Sequence, residues 1–200
     1  GRVDKDTFIK YQKSYGANGY SAANDSFYSA DVNRDGIPDN VVDMTADSSY
    51  GNAFDPNVKA YQWNAFALGN ANYGKATSWT AAANDPSTFF KDSFSTVNNI
   101  GLSGGDDKGS YNFSYTNNNE SGILPNSKLN RNIINGSFNR NLSDKIKTSA
   151  FFTFSDQTTV GRNSTGYGDN IITGFRQWWQ TNVDVQELKQ EYNRNEDNVT

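Results

Sequence analysis

The clearest pattern in the chain is an alternation with a period of two that begins at Phe94. Phe94, Ile100 and Leu102 fall on one face together with Thr96 and Asn98, and the intervening residues from Ser95 to Ser103 fall on the other. The run 104–109 (Gly-Gly-Asp-Asp-Lys-Gly) is typical of a tight turn, and Tyr111, Phe113 and Tyr115 then alternate with Asn112, Ser114 and Thr116. This pattern predicts a β-hairpin.

A second alternating stretch predicts another hairpin. Ile134, Gly136, Phe138, Arg140 and Leu142 share one face, the run 141–145 is a turn, and Ile146, Thr148, Ala150, Phe152 and Phe154 continue that face. Phe151 interrupts the otherwise polar opposite face. A longer connection containing Pro125 is expected from Asn117 to Asn130, so the connections run short, long, short, as in outer-membrane barrels.

The flanking regions carry other signals. Residues 1–93 are rich in Gly, Asn and Asp with little periodicity, and this is typical of loops. Residues 158–200 begin with a Gly-rich stretch at 161–168, after which Phe175, Trp178 and Trp179 cluster at helical spacing. A second helix is expected from Asp184 to Tyr192, with Asp184 as its N-cap.

The composition supports a β-protein that is polar yet packs many rings. Only 34% of the 200 residues are hydrophobic, whereas 14% are aromatic, and the net charge is −4. Transmembrane barrels have this profile because half of each strand faces a wet lumen and the lipid side carries aromatic girdles. A secreted sugar-binding β-protein has a similar profile. No run of 18 apolar residues is present, so no helix is expected to span a bilayer.

The missing residue types exclude several chemistries. The chain has no His and no Cys, which excludes Ser-His-Asp and Cys-His catalysis, disulfides and His-ligated zinc. Lys and Arg are scattered, so nucleic acid is not an expected partner. Adjacent carboxylates such as Asp106 and Asp107 lie in turn contexts and are better explained as solvated charge. We therefore expect a protein that is not an enzyme.

One loop has the spacing of a calcium site. In the segment 31–39 (Asp-Val-Asn-Arg-Asp-Gly-Ile-Pro-Asp), side-chain oxygens stand at positions one, three, five and nine, with Gly at six. Position twelve is Val42 rather than Glu. The predicted calcium ligands are Asp31, Asn33, Asp35, the carbonyl of Ile37, Asp39 and, in place of the missing Glu, Asp43. The alternative is an Asx-rich turn without a metal.

Four tryptophans are candidates for contact with a substrate or with a lid protein. Large exposed rings can stack on sugars, but aromatic residues in long loops more often pack the loops together. The candidates are Trp63, Trp79, Trp178 and Trp179.

Several collinear stretches resemble the SusC/RagA family of TonB-dependent outer-membrane transporters. Together they cover most of residues 31–192, and being collinear they are more specific than any single motif. The matching stretches are 98–111, 114–116, 122–127, 141–147, 161–162, 166–168 and 175–184, with 31–39 and 53–57 similar to a loop of some members.

The resemblance implies a plugged barrel of about 22 strands in the bacterial outer membrane, with loops at the cell surface. It implies import of oligosaccharides or oligopeptides, a SusD-like surface lipoprotein as a hinged lid, and energy from TonB through a plug that these residues do not include. Since four strands cannot close a barrel, we expect an internal segment of a larger barrel.

The predicted fold is therefore all-β: an antiparallel transmembrane β-barrel segment with long extracellular loops and short helices near the C-terminal end. Residues 1–93 are assigned to extracellular loops with the calcium-type loop at 31–43, residues 94–157 to two barrel hairpins in contact with membrane lipid, and residues 158–200 to a further loop. The alternative is a secreted, calcium-stabilised carbohydrate-binding β-sandwich. A sandwich would cover the apolar face with a second sheet, and a barrel would leave it to lipid.

Overall fold

The computed structural model describes residues 8–19, 25–45 and 48–194. These residues form mainly antiparallel β-structure. The strands are β1 (Phe27–Ala30), β2 (Asp39–Val42), β3 (Asp55–Ala60), β4 (Thr77–Trp79), β5 (Phe94–Asp106), β6 (Gly109–Ser121), β7 (Lys128–Ser143) and β8 (Ile146–Val160), with helices α1 (Ile171–Gln177) and α2 (Val185–Arg194) and two short 3-10 turns (Trp63–Ala65 and Pro86–Phe89). Within this described part, no helix is both long and apolar enough to cross a membrane.

The chain divides into two compact units. The first is built from Phe90–Asn163, and the second contains the described residues before 90 and after 163. The alternating region 94–157 lies within the first unit. The described residues of the two flanking regions, 1–93 and 158–200, belong to the second unit apart from 90–93 and 158–163, which belong to the first.

The first unit is a four-stranded antiparallel meander in the order β5-β6-β7-β8. Two-residue turns at 107–108 and 144–145 close the two predicted hairpins. The expectation of a long connection from Asn117 to Asn130 is wrong. β6 continues to Ser121 and β7 begins at Lys128, so the connection is only 122–127, because the asparagines at the strand ends pair across the sheet.

The second unit has short strands around a small core. Strand β1 pairs with β2 and β3 with β4, both antiparallel, and a parallel bridge joins Val41 to Tyr61. Trp79 lies at the centre, with its ring 4.8 Å from that of Phe27 and 5.2 Å from that of Phe54. The chain passes so close that a Cβ on Gly16 would lie 2.1 Å from the indole, and this fixes glycine there.

The C-terminal helices begin where their capping residues predict. Asn170 caps α1 by accepting from the backbone N–H groups of Ile172 and Thr173. Asp184 does the same for α2, with 2.9 Å to the N–H of Gln186 and 3.2 Å to that of Glu187. The N-cap assigned to Asp184 is confirmed.

A buried polar network ties α2 to the turn after β3. Asn64 Nδ2 donates to Glu187 Oε1 (2.9 Å), and Asn70 Nδ2 donates both to Glu187 Oε1 (3.1 Å) and to Glu191 Oε1 (2.8 Å). Glu191 also pairs with Arg194. The two carboxylates lie one turn apart on the same helix face, so the amide donors offset their mutual repulsion and fix the helix in place.

Candidate functional site

The four-stranded sheet has two chemically different faces. The face that carries Phe113 is called the apolar face here, and the other the polar face. On the apolar face, cross-strand register places twelve positions in three consecutive rows of four, called the apolar band. The rows are Ile100, Tyr115, Ile134 and Phe154; Leu102, Phe113, Gly136 and Phe152; and Gly104, Tyr111, Phe138 and Ala150.

Rings cover the two glycines of the apolar band. A Cβ on Gly104 would lie 2.6 Å from the Tyr111 hydroxyl oxygen, and one on Gly136 would lie 2.3 Å from the Phe152 ring. Each ring belongs to the residue directly opposite its glycine in the register. Each glycine is therefore paired with a large aromatic residue on the neighbouring strand, whose ring covers it, so the apolar surface of the band is continuous.

The apolar band ends at polar groups in both directions along the strands. At the end with the two-residue turns, Arg140 Nη1 lies 3.0 Å from both carboxylate oxygens of Asp106. At the other end four asparagines form a closed cycle of side-chain hydrogen bonds, called the amide ring here. Each amide nitrogen donates to the next oxygen, in the order Asn117, Asn132, Asn130, Asn119 and back to Asn117. The hydroxyl of Tyr115 also donates to Asn132 (2.8 Å).

The amide ring was not predicted from the sequence, because Asn117, Asn119 and Asn130 were assigned to a connection and Asn132 follows directly after it. One signal was available. Asn117 and Asn119 continue the period of two begun by Tyr115, and Asn130 and Asn132 lead into Ile134 in the same phase. Loop-like composition therefore concealed strand periodicity.

The polar face is lined mainly by Ser, Thr and Asn. Thr153 donates to Asn135 Oδ1 (2.9 Å), and Asn135 Nδ2 lies 3.4 Å from Ser114 Oγ, so hydrogen bonds run across three strands. Phe151 stands out on this face with 89% of its surface exposed. The register places it there, one residue from Phe152 on the apolar face.

The predicted calcium ligands Asp31, Asn33, Asp35, Ile37 and Asp39 come together in the turn of the β1–β2 hairpin and at the start of β2. Asp31 accepts from the N–H groups of Asp35 (3.1 Å) and Gly36 (3.0 Å), and Asp35 accepts from that of Ile37 (2.8 Å). Gly36 has a φ of 86°, which lets the loop turn sharply. Asp39 accepts from the N–H of Val32 (3.0 Å) and so closes the loop.

The negative charges of the loop carboxylates act together on the neighbouring Tyr61. Burial raises the pKa of Tyr61, and the negative charges of Asp39, Asp35 and Asp31 raise it further. A carboxylate oxygen that accepts one N–H keeps capacity for a cation. However, nowhere in the described ranges do three or more Asp or Glu side chains gather closely enough to hold a metal ion. Calcium binding by this loop therefore stays a prediction.

The assignment of Asp43 as a sixth ligand is wrong. Strand β2 runs extended from Asp39 to Val42, so Asp43 lies four residues beyond Asp39, about 13 Å along the strand. It accepts instead from the N–H of Thr45 (2.9 Å). Val42, at the position where a calcium loop needs a bidentate carboxylate, is buried in the core.

The structure separates the four tryptophans. The assignment of Trp79 as a substrate or lid contact is wrong, because its surface is fully buried in the core of the second unit. Trp63 is half-buried at the start of a 3-10 turn. Helix α1 ends at Gln177, so Trp178 is its C-cap and Trp179 follows the helix.

Of these tryptophans, Trp178 is the most exposed. Its ring lies 5.9 Å from that of exposed Tyr167 in an edge-to-face arrangement. Trp179 is half-buried and packs against Phe175 at 5.4 Å. Trp178 therefore keeps the geometry of a surface contact residue, whereas Trp179 contributes mainly to packing.

Comparison with known proteins identifies no relative of this chain. No family model, no curated protein and no solved structure matches the chain.

Proposed function

We propose that this chain forms part of the wall and cell-surface loops of a bacterial outer-membrane importer of the SusC/RagA type. In this proposal the apolar face of β5–β8 contacts membrane lipid and the polar face lines a wet interior. The second unit belongs to the extracellular loops. The protein acts as a transporter and not as an enzyme.

The exposure of the apolar band carries the proposal. Ile100 is 66% exposed and Phe152 55%, in the middle of long regular strands whose other face is polar. Soluble proteins rarely leave a contiguous patch of this kind in water. In a membrane this patch would not contact water, because hydrocarbon solvates apolar side chains as well as a protein core does.

The dimensions of the band agree with a bilayer. From Gly109, level with the ion pair, to Asn117 in the amide ring is eight residue steps, about 27 Å along the strand. At the usual tilt of about 40° this corresponds to about 20 Å along the membrane normal. Outward-facing apolar bands of outer-membrane barrels are about 25 Å tall.

The edges of the sheet favour further strands. Within the residues described by the structure, β5 and β8 have no strand partner on their outer sides. β8 is exposed along all of its 15 residues. Unpaired backbone groups are tolerated poorly in hydrocarbon, so a membrane wall requires neighbouring strands on both sides until the sheet closes.

The remaining elements of the proposal come from the resemblance. The cargo is an oligosaccharide or oligopeptide, a SusD-like lipoprotein acts as a lid, and TonB supplies energy through a plug outside this segment. The loops of the second unit dock the lid and border the substrate cavity, with Trp178 as the aromatic contact. A calcium ion at 31–39 stiffens one of these loops, and stiffness helps a lid return to the same surface.

Single-cysteine labelling tests the two-faced wall directly, since the natural chain contains no Cys. Phe152→Cys and Phe151→Cys place a fluorescent label on the apolar and the polar face at adjacent positions. With the protein in phosphatidylcholine vesicles, the label at 152 is expected to emit at shorter wavelength and to be quenched by brominated lipid. The label at 151 is expected to be quenched by iodide in the water.

The two rival functions give different results. A secreted carbohydrate-binding sandwich would stay in solution as a monomer, melt cooperatively and protect position 152 from both quenchers inside a protein core. Equal quenching by brominated lipid at 151 and 152 would contradict the assignment of one face to lipid and the other to water.

A further inference from the structure

A groove lies on the apolar face just beyond the amide ring. It has a volume of about 520 Å³ and lies within the first unit. Its lining includes the amides of Asn119 and Asn130, the hydroxyls of Thr96 and Thr158, and the exposed rim residues Phe94 and Lys128.

The polar groups of the groove have unused hydrogen-bonding capacity. The ring uses one N–H of each amide, and every amide nitrogen carries two. The second N–H groups of Asn119 and Asn130 remain for another acceptor. Of the two charged residues at the groove, Lys128 projects from the apolar face and contributes an ammonium, whereas the register places the side chain of Glu120 on the polar face. The uncharged amides and hydroxyls outnumber this ammonium, and such donors and acceptors suit the hydroxyls of a sugar.

We propose that this groove binds the sugar headgroup of a glycolipid in the surrounding membrane. The inference rests on the proposed function, since it assumes that the apolar band contacts acyl chains. The band, the amide ring and the groove follow one another along the same face of the same strands. A lipid whose chains lie on Phe113 and Tyr115 therefore places its headgroup at the amides.

The rim of the groove favours a lipid headgroup over a free sugar. Phe94 and Val160 belong to the outermost row of the apolar face and flank its two central strands. The exposed ring of Phe94 offers a flat contact to the ring carbons of a sugar, Val160 adds apolar surface, and the amides meet the sugar hydroxyls. The groove adjoins the amide ring, and the apolar band continues from that ring along the same strands, where an acyl chain would lie.

Vesicle partitioning tests the inference. Binding of the chain is measured on phosphatidylcholine vesicles with and without digalactosyldiacylglycerol, an uncharged glycolipid. We expect the glycolipid to increase partitioning of the natural chain. The double variant Asn119→Ala/Asn130→Ala is expected to reduce this gain about five-fold for each sugar hydrogen bond removed. The matched control Asn112→Ala/Asn139→Ala removes two exposed amides from the polar face and is expected to keep the gain.

The outcomes separate the inference from the proposed function. Binding to plain vesicles without any gain from glycolipid overturns the headgroup site and leaves the membrane wall standing. Absence of binding to either vesicle overturns both. An equal loss of the gain in the polar-face control also overturns the site, because the effect would then be a general one. Equal affinity for a soluble digalactoside in glycolipid-free micelles would assign the groove to free sugars instead.

Discussion

A single charge on the apolar band gives opposite results in lipid and in water. Phe113 lies in the middle row of the band on a central strand, and 40% of its surface is exposed. If this surface faces hydrocarbon, Phe113→Arg places a guanidinium near the centre of the membrane. Such substitutions on the lipid face of barrels destabilise by about 2–4 kcal/mol. If the surface faces water, an exposed Arg is well solvated and changes the free energy by a fraction of that.

The magnitude translates into a large change in membrane binding. At 1.4 kcal/mol for each factor of ten, the expected loss in the partition coefficient is roughly thirty- to seven-hundred-fold. Co-sedimentation with phosphatidylcholine vesicles measures this coefficient. The matched control is Asn112→Arg, which introduces the same charge one residue earlier on the polar face and is expected to change partitioning less than about five-fold.

Equal effects of the two arginines would refute the reasoning, because net charge rather than position on the sheet would then control binding. Unchanged or improved solubility of Phe113→Arg, together with no vesicle binding by the natural chain, would also contradict a lipid-facing band and favour the soluble sandwich.

Three further predictions concern local structure. Asp35→Ala is expected to lower the melting temperature only when calcium is present, and an equal loss in chelator would argue against a metal at 31–39. Gly136→Ala would place a Cβ 2.3 Å from the Phe152 ring and force that ring aside. It is expected to destabilise the sheet by about 1–3 kcal/mol, measured by urea unfolding. The control Gly101→Ala is expected to have less effect, because the nearest atom to its Cβ would lie 3.9 Å away. Trp79→Ala removes the centre of the second unit and is expected to destabilise that unit by about 3–5 kcal/mol, with loss of near-ultraviolet circular dichroism, whereas an unchanged melting curve would contradict its place in the core.

The sequence was most informative where one physical pattern dominates. Alternation between 94 and 157 predicted the strands and the turn positions, because each side chain on a strand faces the direction opposite to its neighbours. The irregularity seen at Phe151 did not shift the register: the residue simply projects from the polar face. The cap at Asp184 was equally predictable, because it depends on two or three local bonds.

Long-range pairing accounts for what the sequence did not reveal. The strand ends at Ser121 and Lys128 depend on amides that meet across two strands, and Asn-rich segments look like turns when each is read alone. Burial of Trp79 depends on Phe27 and Phe54, which are distant in the chain. Spacing alone also could not show that β2 stays extended and carries Asp43 away from the loop.

The amide ring has a consequence for how mutations combine. All four donors point the same way around the cycle, so each bond polarises the next. Replacing any one asparagine interrupts the whole circuit, and a second replacement then removes less than it would alone. Double-mutant cycles among these positions should therefore show strong coupling, even for exposed Asn119 and Asn130, although substitutions at exposed sites usually add.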